Sequence, residues 1–279
     1  MFLLVALSCT LDEGPDLSPA SAPKLRPPGS PDVLLVTVSG HCTDCASEYN
    51  GEYLRSWGTP QNLQRALENE GYSVDTWTYV DELYSWVRGD EVLAYGFLAL
   101  VSDLDWVERT WIADFDNPTR VVLIGHSHGV VWAHSAAMAA DHVPIDVLVD
   151  LDGVCLNWED DDWALGLGDE WDEVIDEHER RNGYVTWFDL SNPCDSWDLG
   201  TGAAMNIDDV VPWNVRTNLE VRSSDWLLYD SQDNLRYDGS SDTLSYTSDL
   251  SHMKILEPAS PPMAWVRHHL VRSLAVQPL

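Results

Sequence analysis

Basic residues are scarce: 15 Lys+Arg stand against 47 Asp+Glu in 279 residues, a formal net charge of −32. So little positive charge leaves nothing to neutralise phosphates, which excludes DNA and RNA as partners. Anionic lipid headgroups are repelled for the same reason. Long apolar runs are missing too. The run at the start, Phe2 to Leu7, falls far short of the roughly 20 residues that span a bilayer. Cysteine is sparse, five in all, and Cys42-Thr43-Asp44-Cys45 is followed by no second Cys-x-x-Cys and no His pair at zinc-finger spacing. The acidic run Glu159–Asp162 lacks the D-x-D-x-D-G pattern of a calcium loop and reads as a solvated face. No internal repeat is present.

What is there is the composition of a folded domain. Hydrophobic residues make up 44% and aromatics 10%, with 14 tryptophans, whereas disordered acidic tails are poor in both. The length suits one large domain or two small ones. The acidity itself fits high-salt life, the solubility of an exported protein or cation binding alike.

From residue 32 onward strands and helices alternate. VLLVTVSG (33–40) is a β-branched run of the kind buried on both faces of a sheet. Thr59-Pro60 offers an N-cap and an N1 proline to a helix that Gly71 stops. Residues 73–80 predict a strand, 90–113 a helical segment, 120–125 a second buried strand, 127–140 a helix and 145–153 a further strand. Segment 154–215 reads as an insertion or lid with a helix near 169–181 and a strand over 184–190. Late strands are expected at 217–222 and 226–229, then a polar stretch to 251, then a last helix from Ser260-Pro261. This order gives βαβ units, hence a mostly parallel central sheet with helices on both faces, an α/β architecture.

The feature that carries chemistry is Gly125-His126-Ser127-His128-Gly129. Five-residue patterns recur by chance, but this G-x-S-x-G stands directly after a buried strand and directly before a helix. Strand, sharp turn and helix are what a nucleophile elbow requires: the serine sits strained at the turn, and the flanking glycines let strand and helix pass closely. The helix N-terminus then adds positive potential beside it. On these residues the chain resembles the α/β-hydrolase superfamily, in particular its lipase/esterase-like branch, over about residues 32–275.

The resemblance implies a serine, acid, histidine order along the chain and no cofactor. Ser127 is the expected nucleophile. His252 follows it by 125 residues and stands on a loop just ahead of the last helix, where the base is expected. His268 and His269 fall inside that helix; His126 and His128 read as packing residues or as supports behind the site, and His134 and His142 as structural. The expected acid is Asp152, which ends a strand 25 residues past the serine; Asp225, after the next core strand, is the alternative, and Asp230 and Asp189 are weaker candidates. The backbone amide of His128 is the first expected oxyanion donor. The second is expected from Gly40–Cys42, because Ser39-Gly40-His41 occupies the place where the superfamily often has His-Gly.

The first residues resemble a bacterial lipoprotein leader. Leu7-Ser8-Cys9 matches the end of a lipobox, with Cys9 as the lipidated residue, although no Lys or Arg precedes the apolar run and Ala6 stands where leucine is usual. An ordinary signal peptide is the alternative. Residues 1–9 are thus read as leader, 10–31 as a Pro-rich tether and 32–279 as the hydrolase domain, exported to the cell envelope or secreted. In such a compartment Cys42, Cys45, Cys155 and Cys194 are expected to form two disulfides, with three pairings open. Trp158, Trp163 and Trp171 stand in the insertion as candidate ligand contacts. The expected activity is hydrolysis of a small-molecule or lipid ester. A catalytically inactive binding module and an acyltransferase with the same three residues are the competing readings.

Overall fold

The computed structural model describes residues 23–41, 52–155, 194, 197–198, 204–224 and 233–275. In chain order these form β1 (Val33–Ser39), α1 (Tyr53–Trp57), α2 (Thr59–Asn69), β2 (Val74–Val80), β3 (Trp86–Arg88), β4 (Glu91–Ala94), α3 (Phe97–Val107), β5 (Arg120–His126), α4 (His128–Ala139) and β6 (Ile145–Leu151). There follow three short strands, β7 (Trp197–Asp198), β8 (Ala204–Met205) and β9 (Val210–Val211). The long β10 (Val215–Ser223), short β11 (Leu235–Arg236), β12 (Leu244–Ser248) and α5 (Pro261–Ala275) complete the order.

Six strands make the central sheet in the order β12-β10-β6-β5-β1-β2, every pair parallel. All seven residues of β1 and of β5 are buried, which is why their β-branched runs are continuous rather than alternating. One face packs on α3 and α4 through Leu34, Val36, Leu123, Phe97 and Trp132. The other packs on α1, α2 and α5 through Leu35, Ile124, Leu63, Val266 and Leu270. α4 is buried on every side, as a helix apolar all round must be. The carbonyls left over in the last turn of α5 are met from the sheet: Arg120 of β5 donates to Leu274 O, and Arg216 of β10 to Ser273 O, with Asp146 pairing both guanidiniums.

Three local expectations change. The helical segment begins at Phe97, not 90, because Arg88-Gly89-Asp90 turns a short antiparallel hairpin, β3–β4, with Gly89 at φ +61. The polar stretch before residue 251 holds the edge strand β12, whose LSYTS sequence is mostly exposed and which gains its place by pairing with β10. Thr59 does not cap α2; it is buried inside the helix, and Gly58, in the left-handed region, ends α1 and begins α2. The expected helix at 169–181 and strands at 184–190 and 226–229 lie outside the described residues.

From β1 the chain runs to β2 on one side and then returns to β5 on the other, so the loops after β1 and β5 leave in opposite directions. In a parallel sheet that divergence opens a crevice at the carboxyl ends of the strands. Gly40 and Ser127 stand on its two sides.

Candidate active site

Ser127 lies between β5 and α4 at φ 56°, ψ −135°, a conformation that costs a non-glycine residue about 1–3 kcal/mol. Surrounding bonds hold it there. Its amide donates to Leu151 O at 3.1 Å, and its carbonyl accepts from Val130 N at 3.0 Å and Val154 N at 3.3 Å. The motif glycines are needed for the close approach: a Cβ on Gly125 would stand 2.5 Å from Val130 Cα, and one on Gly129 would overlap the Val38 carbonyl oxygen. Across the crevice a Cβ on Gly40 would stand 2.5 Å from His126 O and 2.8 Å from His128 N. The loop after β1 therefore lies directly on the serine turn.

Asp152 follows β6, one strand along, and is also in the left-handed region at φ +53, which aspartate tolerates better than most residues. It is buried. Its Oδ1 accepts from Ser223 N at 2.5 Å, and its Oδ2 is 2.5 Å from His252 Nδ1. Burial by itself raises this carboxyl, but hydrogen bonds from His252 and from the Ser223 side chain and amide outweigh it and hold the pKa below the ordinary carboxylate value. His252 stands on the loop between β12 and α5, so the structure brings Ser127, Asp152 and His252 to the same edge of the sheet. Among the described residues Ser127 Oγ makes no hydrogen bond to the His252 imidazole. Asp225, Asp230 and Asp189 lie outside the described residues. Ser223, two residues before Asp225, is the residue that supports Asp152.

The oxyanion residues separate. His128 is the first residue of α4 and is buried beside Gly40. The Gly40 amide, expected among the second donors, is turned away to Tyr53 Oη at 3.0 Å; the residue's contribution is its missing side chain. His41 is exposed, with Nδ1 3.5 Å from Asp81, and Cys42 lies outside the described residues.

Sequence reasoning missed Tyr53 and gave His126 a packing or supporting role without naming its partners. Tyr53 Oη contacts His126 Nδ1, and His126 Nε2 lies 3.2 Å from the His252 carbonyl oxygen. No sequence pattern marks Tyr53, whose partners stand 13 and 73 positions away. His134 is not mere packing either: its Nε2 is 3.0 Å from Asp150 Oδ1 in the buried core. Cys155 and Cys194 form a disulfide; Cys42 and Cys45, and likewise Cys9, Trp158, Trp163, Trp171 and Glu159–Asp162, lie outside the described residues. Among the described residues no three His, Cys, Asp or Glu side chains group as a metal site. A cavity of about 430 Å³ beside β2, walled by Arg55, Trp77, Tyr79, Tyr95 and Asp103, contains none of the three residues above.

The parallel sheet with helices on both faces, and the strained serine turn joining a buried strand to a buried helix, make this an α/β-hydrolase fold. No family model matches the sequence, and no curated protein resembles it significantly. Solved structures do resemble it at low identity. An esterase from Rhizomucor miehei is 14% identical, over 90% of this chain and 77% of that one, with a TM-score of 0.47. A hormone-sensitive lipase from a metagenome library is 15% identical over 90% and 80%, with a TM-score of 0.46. An esterase from Pyrococcus furiosus is 12% identical over 88% and 81%, with a TM-score of 0.45.

Proposed function

We propose that this protein is a serine hydrolase that cleaves carboxylic esters through an acyl-enzyme. One observation carries the reading: the His252–Asp152 pair stands at the edge of the sheet where the strained Ser127 turn lies. Asp152 holds His252 Nδ1, which leaves Nε2 as the basic nitrogen. On substrate binding His252 Nε2 closes on Ser127 Oγ and takes its proton as the oxygen attacks the ester carbonyl; such contacts are often open in the free enzyme. The His128 amide, with an amide following Gly40, receives the oxyanion. Collapse expels the alcohol with the proton from His252, and water then releases the acid by the same steps. No step requires a cofactor.

The site is proposed to act outside the cytoplasm, with the chain anchored through Cys9 or secreted, on a small-molecule or lipid ester. Among the described residues no helix is long and apolar enough to cross a membrane. A membrane-impermeant fluorophosphonate applied to intact cells should label the protein, and Ser127→Ala should abolish labelling. Labelling of the Ser127→Ala protein would move the nucleophile elsewhere. Labelling only after lysis would overturn the location. An unlabelled wild type would favour the surface binding module. With labelling established, p-nitrophenyl esters of graded chain length define the acyl preference, and product analysis with added alcohols separates hydrolase from acyltransferase.

A further inference from the structure

His126 is fully buried at the end of β5, immediately before Ser127, and both of its ring nitrogens face other parts of the site. The roles of these atoms follow from their chemistry. The His252 carbonyl oxygen can only accept, so His126 Nε2 carries the proton and donates, at 3.2 Å. Burial, with the neighbouring His252, pushes the His126 pKa down to about 3, so the ring is neutral and Nδ1 is an acceptor. Its donor is the Tyr53 hydroxyl, which burial keeps protonated. Tyr53 Oη in turn accepts the Gly40 N–H at 3.0 Å. The chain runs one way throughout: Gly40 N–H to Tyr53 O–H to His126 Nδ1, and His126 Nε2–H to His252 C=O. The His126 and His252 rings also face each other, 4.4 Å between centroids and 37° apart in plane.

We propose that His126 and Tyr53 are positioning residues for the hydrolytic reaction: they tie the loop that carries the base to the loop after β1, across the residue that precedes the nucleophile. This rests on the reading of Ser127, Asp152 and His252 given above. His252 is then held by two handles, its ring by Asp152 and its backbone by His126. The second is needed because His252 stands on a loop after an exposed edge strand, where the Asp152 bond alone leaves the ring free to swing about one contact. A neutral ring at 126 is also the one that can face His252 without opposing the positive charge His252 gains during reaction. Misplacement of a reacting group by 1 Å can cost about 100-fold in rate.

The test measures the second-order rate of fluorophosphonate labelling from pH 5 to 9, with thermal midpoints in parallel, on the full chain and four variants. Ser127→Ala should not label. His126→Phe, which keeps a flat buried ring and removes both nitrogens, should label up to about 100-fold more slowly. His126→Gln, which restores an N–H toward His252 O, should recover most of the rate. Tyr53→Phe should be slowed less. In His126→Phe and Tyr53→Phe the pH at which labelling turns on should shift from wild type, which loss of stability alone would not cause. Wild-type rates and profiles in both, with Ser127→Ala silent, would overturn the positioning role and leave the hydrolase reading intact. So would a His126→Gln protein as slow as His126→Phe. Labelling that survives Ser127→Ala would instead remove the reading on which the proposal stands. Should His126→Phe not fold, Tyr53→Phe decides, since it differs from wild type by one oxygen atom.

Discussion

Asp152 is a buried acid that stays charged because three donors meet it, and its identity is the sharpest residue-level question. Asp152→Asn keeps the shape but exchanges a carboxylate for an amide that orients the wrong imidazole tautomer; kcat for an activated ester should fall about 10⁴-fold. Asp225→Asn should stay within a few-fold of wild type. The reverse outcome would transfer the role to Asp225. The strand–turn–helix around Ser127 is legible in the sequence because its five-residue spacing coincides with a change of periodicity from strand to helix. The loop position of His252 ahead of the last helix is legible too. For the acid the sequence puts Asp152 ahead of Asp225 without deciding between them, since aspartates stand near so many strand ends that position alone does not separate them. The hydrogen bonds of Asp152 to Ser223 and His252, 71 and 100 positions away, exist only once β10 and β12 are in register. The roles of His126 and Tyr53 are of the same kind: a tautomer is set by partners that only the fold supplies.

At the scale of elements, the buried parallel strands and α2, α4 and α5 were legible because burial on one face or both leaves a periodic apolar signal. β12 and the β3–β4 hairpin were not, because exposed edges carry polar residues and are defined by pairing. The tie between α4 and β6 is equally hidden. His134 and Asp150 meet in the core at 3.0 Å, and Asn218 and Asn234 donate to the second oxygen of Asp150 at 2.5 and 2.8 Å. Burial opposes charge on His134, but Asp150 and Asp208 outweigh it and raise the pKa above the ordinary histidine value. A raised folded-state pKa stabilises fully below the unfolded value of about 6.5 and loses that contribution as pH climbs through the folded value. The wild-type thermal midpoint should therefore drop from pH 6 to pH 9 by more than that of His134→Gln. Removing one partner of such a pair costs about 3–5 kcal/mol, so the variant should also melt lower at pH 6. Equal slopes in the two proteins would show that His134 is not charged in the fold.

For the whole molecule the excess of acid is a standing cost, since like charges repel more when the chain is compact. Raising NaCl from 10 to 300 mM shortens the screening length from about 30 Å to below 8 Å. The thermal midpoint should rise with it, at roughly 2–4 °C for each kcal/mol of repulsion relieved in a protein near this size. A midpoint independent of salt would mean that the acidic groups are already paired or too far apart to interact. The all-parallel sheet imposes a different constraint, in time. Parallel neighbours need long crossovers, and pairings distant in sequence form slowly. Ser127 belongs to the middle of the chain, whereas its expected base follows β12, which docks on β10 at the far edge of the sheet. On the proposed mechanism a growing chain has no base before residue 252 has been made, and Ser127 gains its partner only once β12 has docked on β10. If that mechanism holds, activity should appear only with the docking of the last edge strand, and a partly folded chain should be silent.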